Sequence, residues 1–83
     1  MKNDRPEHRN LIHERLRRFR LEQGMTQEQL AEAVRKMNIP MSRQTISRIE
    51  QNARYVMDYE LIGFCWTLSV LPSALMPPEE PGD

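Results

Sequence analysis

Thr26 to Glu50, TQEQLAEAVRKMNIPMSRQTISRIE, is the stretch whose reading decides the fold. It describes two short helices and a connection. Thr26-Gln27-Glu28-Gln29 forms a capping box, in which a Thr and a Gln three residues on each satisfy an orphan backbone donor. Leu30, Ala31, Val34 and Met37 then recur at helical spacing. Asn38 and Pro40 mark the connection, and Pro40 cannot continue a helix because it lacks an N–H. Ser42 suits the N-cap of the second helix. There Ile46 and Ile49 share one side, while Gln44, Ser47, Arg48 and Gln51 fall on the other at about 100° per residue. That outward row carries hydrogen-bonding side chains and no carboxylate.

Upstream, Ile12, Leu16, Phe19 and Gln23 make a helical stripe with Leu11 beside it. Pro6 suits the first turn of that helix, and Gly24 its C′ position. Met25 is expected to pack inward. Downstream, Gln51-Asn52 should end the second helix of the pair, and Asp58 should cap the next. Leu61, Cys65 and Leu68 form a row there, flanked by Ile62, Phe64 and Trp66. A helix apolar over so much of its circumference is central to the domain or shared with a partner. Gly63 permits close approach of a neighbour, at a cost in helix propensity. Pro72 opens a short last helix, Ser73 to Met76. The expectation is an all-α fold of five helices, with residues 1–5 a flexible N-terminus, 6–76 the domain, and 77–83 a disordered acidic, Pro-rich tail.

Thr26-Gln27-x-x-Leu30-Ala31 and Ser42-Arg43-x-Thr45-Ile46-Ser47-Arg48-Ile49-Glu50 resemble the helix-turn-helix domain of the phage-type repressors, the Cro/C1 or Xre-like regulators. The resemblance runs from Leu16 to Met76. One departure stands out: the family joins these helices with a tight turn carrying a Gly, whereas Arg35 to Met41 makes a lengthened connection with none. The resemblance implies sequence-specific binding of double-stranded DNA, with the second helix (about residues 43–51) in the major groove. Each base pair displays a distinct donor and acceptor pattern there, and Arg pairs bidentately with guanine as Gln does with adenine. Arg43, Gln44 and Arg48 are the expected base readers, with Ser47 secondary. Each bidentate contact contributes roughly 1–3 kcal/mol of discrimination. Thr26, Gln27, Thr45 and Arg54 form the expected phosphate-contacting set, Thr26 sharing that role with its cap. The family also pairs an Arg at the position of Arg20 with the Glu at the position of Glu50, a structural clamp between helices. Asn52 stands where the family often has Gly, and tolerates the left-handed backbone that a Gly would adopt. Tyr55 is expected to pack.

Eighty-three residues allow one small domain. A core of this size is limited, so a homodimer through residues 58–76 on a palindromic operator is the expected assembly. The charge distribution supports a cationic DNA-facing side. All twelve Lys and Arg lie in residues 1–54 against seven acids, a net of +5, while residues 55–83 hold five acids and no Lys or Arg. For Arg15, Arg17 and Arg18, a solvated helix surface and phosphate contact both remain open. His8 and His13, five apart with no Cys or third ligand near, suggest no metal. Cys65 on an apolar stripe suggests a buried thiol in a reducing cytoplasm. No apolar run spans a membrane, and the polar N-terminus is not a signal peptide. No nucleophile–base set or Gly-rich phosphate loop points to an enzyme, and no cofactor is implied. The sequence reading is therefore a transcriptional regulator, a repressor, in a bacterial or phage-type cytoplasm at the nucleoid. The alternative is a protein-interaction module on the same fold, an antitoxin or coactivator that captures a protein partner through its apolar C-terminal helices.

Overall fold

The computed structural model describes residues 8–78. Five helices follow in order: α1 (His13–Glu22), α2 (Gln27–Arg35), α3 (Arg43–Glu50), α4 (Asp58–Leu68) and α5 (Pro72–Leu75). Local chemistry sets their ends. At α2, Thr26 Oγ1 accepts from the Gln29 amide at 3.0 Å while Gln29 Oε1 accepts from the Thr26 amide at 2.8 Å, which completes the capping box. At α3, Ser42 Oγ accepts from the Thr45 amide at 3.1 Å. Gly24 stops α1 with φ of +70°. Asn52 ends the α3 turn at φ of 60°, and Ser69 ends α4 at 59°. Both take the left-handed conformation that most residues avoid.

Two helix starts differ from the sequence expectation. Helix α1 begins at His13, because Asn10 offers the backbone an alternative to the helix. Asn10 Oδ1 accepts from the Ile12 amide at 3.1 Å, and Asn10 Nδ2 donates to the Ile49 carbonyl at 3.1 Å and the Arg54 carbonyl at 2.9 Å. Pro6 itself lies outside the described residues, as do residues 1–5 and most of residues 77–83, on which the expectations of a flexible N-terminus and a disordered tail fall. Helix α4 has Met57 at its cap position, and Asp58 is its first helical residue. Glu60, in the third position of that helix, accepts from the Met57 amide at 2.9 Å and takes the capping role.

Every helix contributes to one core. Leu16, Leu30, Ala31, Val34, Ile46, Ile49, Phe64, Leu68 and Leu75 are fully buried or nearly so. Met25 packs against this core from the α1–α2 turn. The lengthened connection adds to it. Asn38, at φ of 63°, turns the chain after α2 without a glycine, and Ile39 and Met41 then fold back onto the core. Arg35 Nη1 donates to the Met41 carbonyl at 2.9 Å and fastens the loop's far end. A Cβ placed on Gly63 would lie 2.9 Å from Ile39 Cδ1 and 3.3 Å from Val34 Cγ1. The glycine in α4 is thus what lets the connection and α2 approach so closely. Helix α4 divides its apolar surface in two: Gly63, Phe64, Cys65 and Leu68 face inward, and Tyr59, Ile62 and Trp66 face solvent.

Candidate nucleic-acid interface

Helix α3 is strongly two-sided. Ile46 and Ile49 are fully buried, and Glu50 is almost so. Arg43, Gln44 and Arg48 are exposed on the opposite side, with Ser47 half-buried beside them. Among the described residues, Arg43 and Arg48 join no ion pair. Their guanidinium donors therefore remain available to an external acceptor. Ser47 Oγ accepts from Gln51 Nε2 at 3.0 Å, one turn further along the row.

Arg20 and Glu50 fix how α3 sits in the domain. Arg20 Nε donates to Glu50 Oε2 at 2.7 Å and Arg20 Nη2 to Glu50 Oε1 at 3.0 Å. Arg20 Nη1 reaches the Met25 carbonyl at 2.9 Å, which ties in the α1–α2 turn. The same carboxylate accepts from Gln27 Nε2 at 3.1 Å. One buried network therefore joins α1, the start of α2 and the end of α3. It holds half-buried Gln27 beside the outward face of α3. Thr26 is committed to its cap, as described above, while its position at the α2 N-terminus keeps it next to Gln27.

The other members of the expected phosphate set are placed differently. Thr45 is half-buried and its Oγ1 accepts from Ser42 Oγ at 2.9 Å, so its hydroxyl supports the start of α3. Arg54 makes a bidentate pair with Glu60, at 2.9 and 3.1 Å, and also donates to the Tyr55 carbonyl at 3.0 Å. The hydrogen bond with Glu60 raises the Arg54 pKa above its ordinary value. Its charge is neutralised within the protein, and the pair shapes the α3–α4 loop. Tyr55 does not pack: it is 68 % exposed. Val56 supplies the loop's inward anchor instead, and Tyr55, held beside Arg54, is turned out.

Sequence reasoning missed Glu60 and Asn10, and it read Asn52 as the helix stop that it is without the side-chain bonds it makes. Only the Glu half of a capping box is present, Glu60 accepting from the Met57 amide, and with Met at the cap position the sequence carries no full box signal for it. Asn52 Oδ1 accepts from the Arg9 amide at 2.9 Å and the Asn10 amide at 3.2 Å, pairings that no local pattern announces.

The family described as helix-turn-helix matches residues 16–57, half of the chain. The protein belongs to the Cro/C1-type helix-turn-helix family, an all-α class of DNA-binding regulators. The matched region runs from α1 to the residue before α4, and so includes the lengthened connection. Comparison with curated proteins and with solved structures gave no match. Among the described residues, no helix is long and apolar enough to cross a membrane.

Proposed function

We propose that the protein binds double-stranded DNA sequence-specifically, with α3 in the major groove, and acts as a transcriptional repressor at a palindromic operator. The observation that carries this reading is the two-sidedness of α3. Ile46 and Ile49 are buried to the last atom, while Arg43, Gln44 and Arg48 project into solvent together. Arg43, Gln44 and Arg48 read base edges, with Ser47 held in place by Gln51. Gln27, aligned by Glu50, contacts a phosphate at the free amides of the α2 N-terminus. Thr26 and Thr45 serve the helix starts first and touch the backbone only through them. Arg54 acts through the loop it orders.

The assembly is a homodimer through residues 58–76. Tyr59, Ile62 and Trp66 recur at helical spacing along the outer side of α4, and Leu71 lies exposed just beyond. Two-fold pairing of this stripe would set two α3 helices on half-sites about one helical turn apart. The same exposed stripe favours the second reading, a protein-interaction module that captures a different protein there.

The discriminating experiment is Arg48→Ala. Its side chain supports nothing in the fold, so the variant should keep its thermal stability and lose specific DNA binding. Unchanged binding with intact folding would remove Arg48 from the base readers, and wild-type protein that binds no specific duplex would point to the interaction module.

A further inference from the structure

We propose that Arg9 is a DNA-backbone contact at the far end of the recognition helix, and that Asn10 and Asn52 are the residues that position it. The inference rests on the DNA-binding reading above and extends its contact set beyond the helix-turn-helix pair. Residues 8–12 run alongside the loop that follows α3 and are fastened to it at several points. Asn52 Oδ1 accepts from the amides of Arg9 and Asn10 at 2.9 and 3.2 Å. Asn10, itself buried, donates from Nδ2 to the carbonyls of Ile49 and Arg54 at 3.1 and 2.9 Å. The segment is thereby fixed to the last turn of α3. Asn52 directly follows Gln51, and Gln51 Nε2 donates to Ser47 Oγ at 3.0 Å, so the attachment point borders the outward row.

Dimensions place phosphates there. Helix α3 has 8 residues, and at 1.5 Å per residue it is roughly 12 Å long. The major groove of B-form DNA is about 12 Å wide. A helix of that length whose first residues lie on base edges ends close to a sugar–phosphate wall at its C-terminal end. At this end the cation of Arg54 is already matched by Glu60 at 2.9 Å. Arg9 is exposed and, among the described residues, joins no ion pair. It is held at the wall by its backbone, which leaves the whole side chain to reach an anion. The contact is to phosphate rather than base, because the attachment point lies beyond the row that faces the groove floor. It therefore strengthens binding without changing the sequence preference.

The test compares the full chain with Arg9→Ala, Arg9→Lys and Arg9→Glu, measuring affinity for a selected operator and for random-sequence duplex from low to moderate salt. Loss of one phosphate contact should make the slope of log affinity against log salt shallower by about one unit for Arg9→Ala, on both duplexes. Arg9→Lys should restore the slope, Arg9→Glu should weaken binding further, and base preference should stay the same in all three. Thermal stability should not change, because the hydrogen bond to Asn52 uses the backbone amide. An unchanged slope in Arg9→Ala, with wild-type binding intact, overturns this assignment alone. Wild-type protein that binds no DNA overturns the DNA-binding reading and the assignment with it.

Discussion

Arg20 and Glu50, thirty residues apart in sequence, meet as a buried bidentate pair, and the carboxylate also aligns Gln27. The same group that locks α1 to α3 thus sets the Gln27 side chain next to the outward face of α3. Structure and site share one network, so its two halves can be separated by mutation. Arg20→Ala should cost about 3–5 kcal/mol, because it strands a buried carboxylate. Replacing both partners with methionine should cost much less, since an apolar pair of similar volume removes the stranded charge. Chemical denaturation of the three proteins checks this. Equal losses for the single and double variants would show that the pair carries no buried-charge penalty.

Arg54 and Glu60 make an asymmetric pair, and the asymmetry is testable. The Arg54 side chain is 30 % exposed, while that of Glu60 is 5 % exposed. After Glu60→Ala, Arg54 can turn into water. After Arg54→Ala, Glu60 remains buried with the Met57 amide as its remaining partner. Arg54→Ala should therefore be the more damaging change, with both in the range of about 1–3 kcal/mol expected for charged hydrogen-bonding groups. Urea denaturation gives the ranking, and the reverse order would contradict this account of the loop.

The outer side of α4 bears on assembly. Ile62→Ser and Trp66→Ser together break the apolar stripe at its centre while leaving the fully buried core residues in place; Trp66 is 68 % exposed and Ile62 37 %. The wild-type chain should sediment as a dimer at high micromolar concentration, and the double variant as a monomer of similar stability. A wild-type monomer under those conditions would count against the homodimer and turn attention to a different partner for this stripe.

Much of the fold was legible because its signals are local. The Thr26 box, the Ser42 cap, Gly24 and the 3.6-residue recurrence of Leu30, Val34, Ile46 and Ile49 each lie within a turn or two of what they specify. The outward row of α3 follows from the same periodicity. What escaped the sequence depends on distant partners. Asn10 delays the start of α1 by bonding carbonyls 39 and 44 residues away. Arg54 resembled a free cation until Glu60, on the next helix, was placed against it. The lengthened connection looked like a departure from the family. Its Met41 is buried in the core, and its Ile39 packs partly buried against α4 where Gly63 leaves room for it.

Cys65 provides a probe of how tightly α4 is held. It is buried, and burial pushes its thiol pKa up. Because the folded pKa is raised, the thiol stays protonated to higher pH than in the unfolded chain. Its contribution to stability is full below the unfolded pKa and is lost as pH rises through the folded one. Stability should accordingly decline on the alkaline side, above about pH 8.5, where an unfolded cysteine ionises. Near neutral pH, reaction with a thiol reagent should be much slower in the folded protein and accelerate with denaturant. Fast labelling of the native protein would mean that α4 opens readily.

The most direct measurement of the central claim is a selection from random oligonucleotides on the purified full chain, repeated at two salt concentrations. Sequence-specific readout by α3 predicts recovery of a two-fold symmetric motif, with guanine or adenine at the positions read by Arg43, Gln44 and Arg48. The motif should persist at the higher salt while affinity falls. Recovery of no motif, with only weak binding that salt abolishes, would contradict the claim.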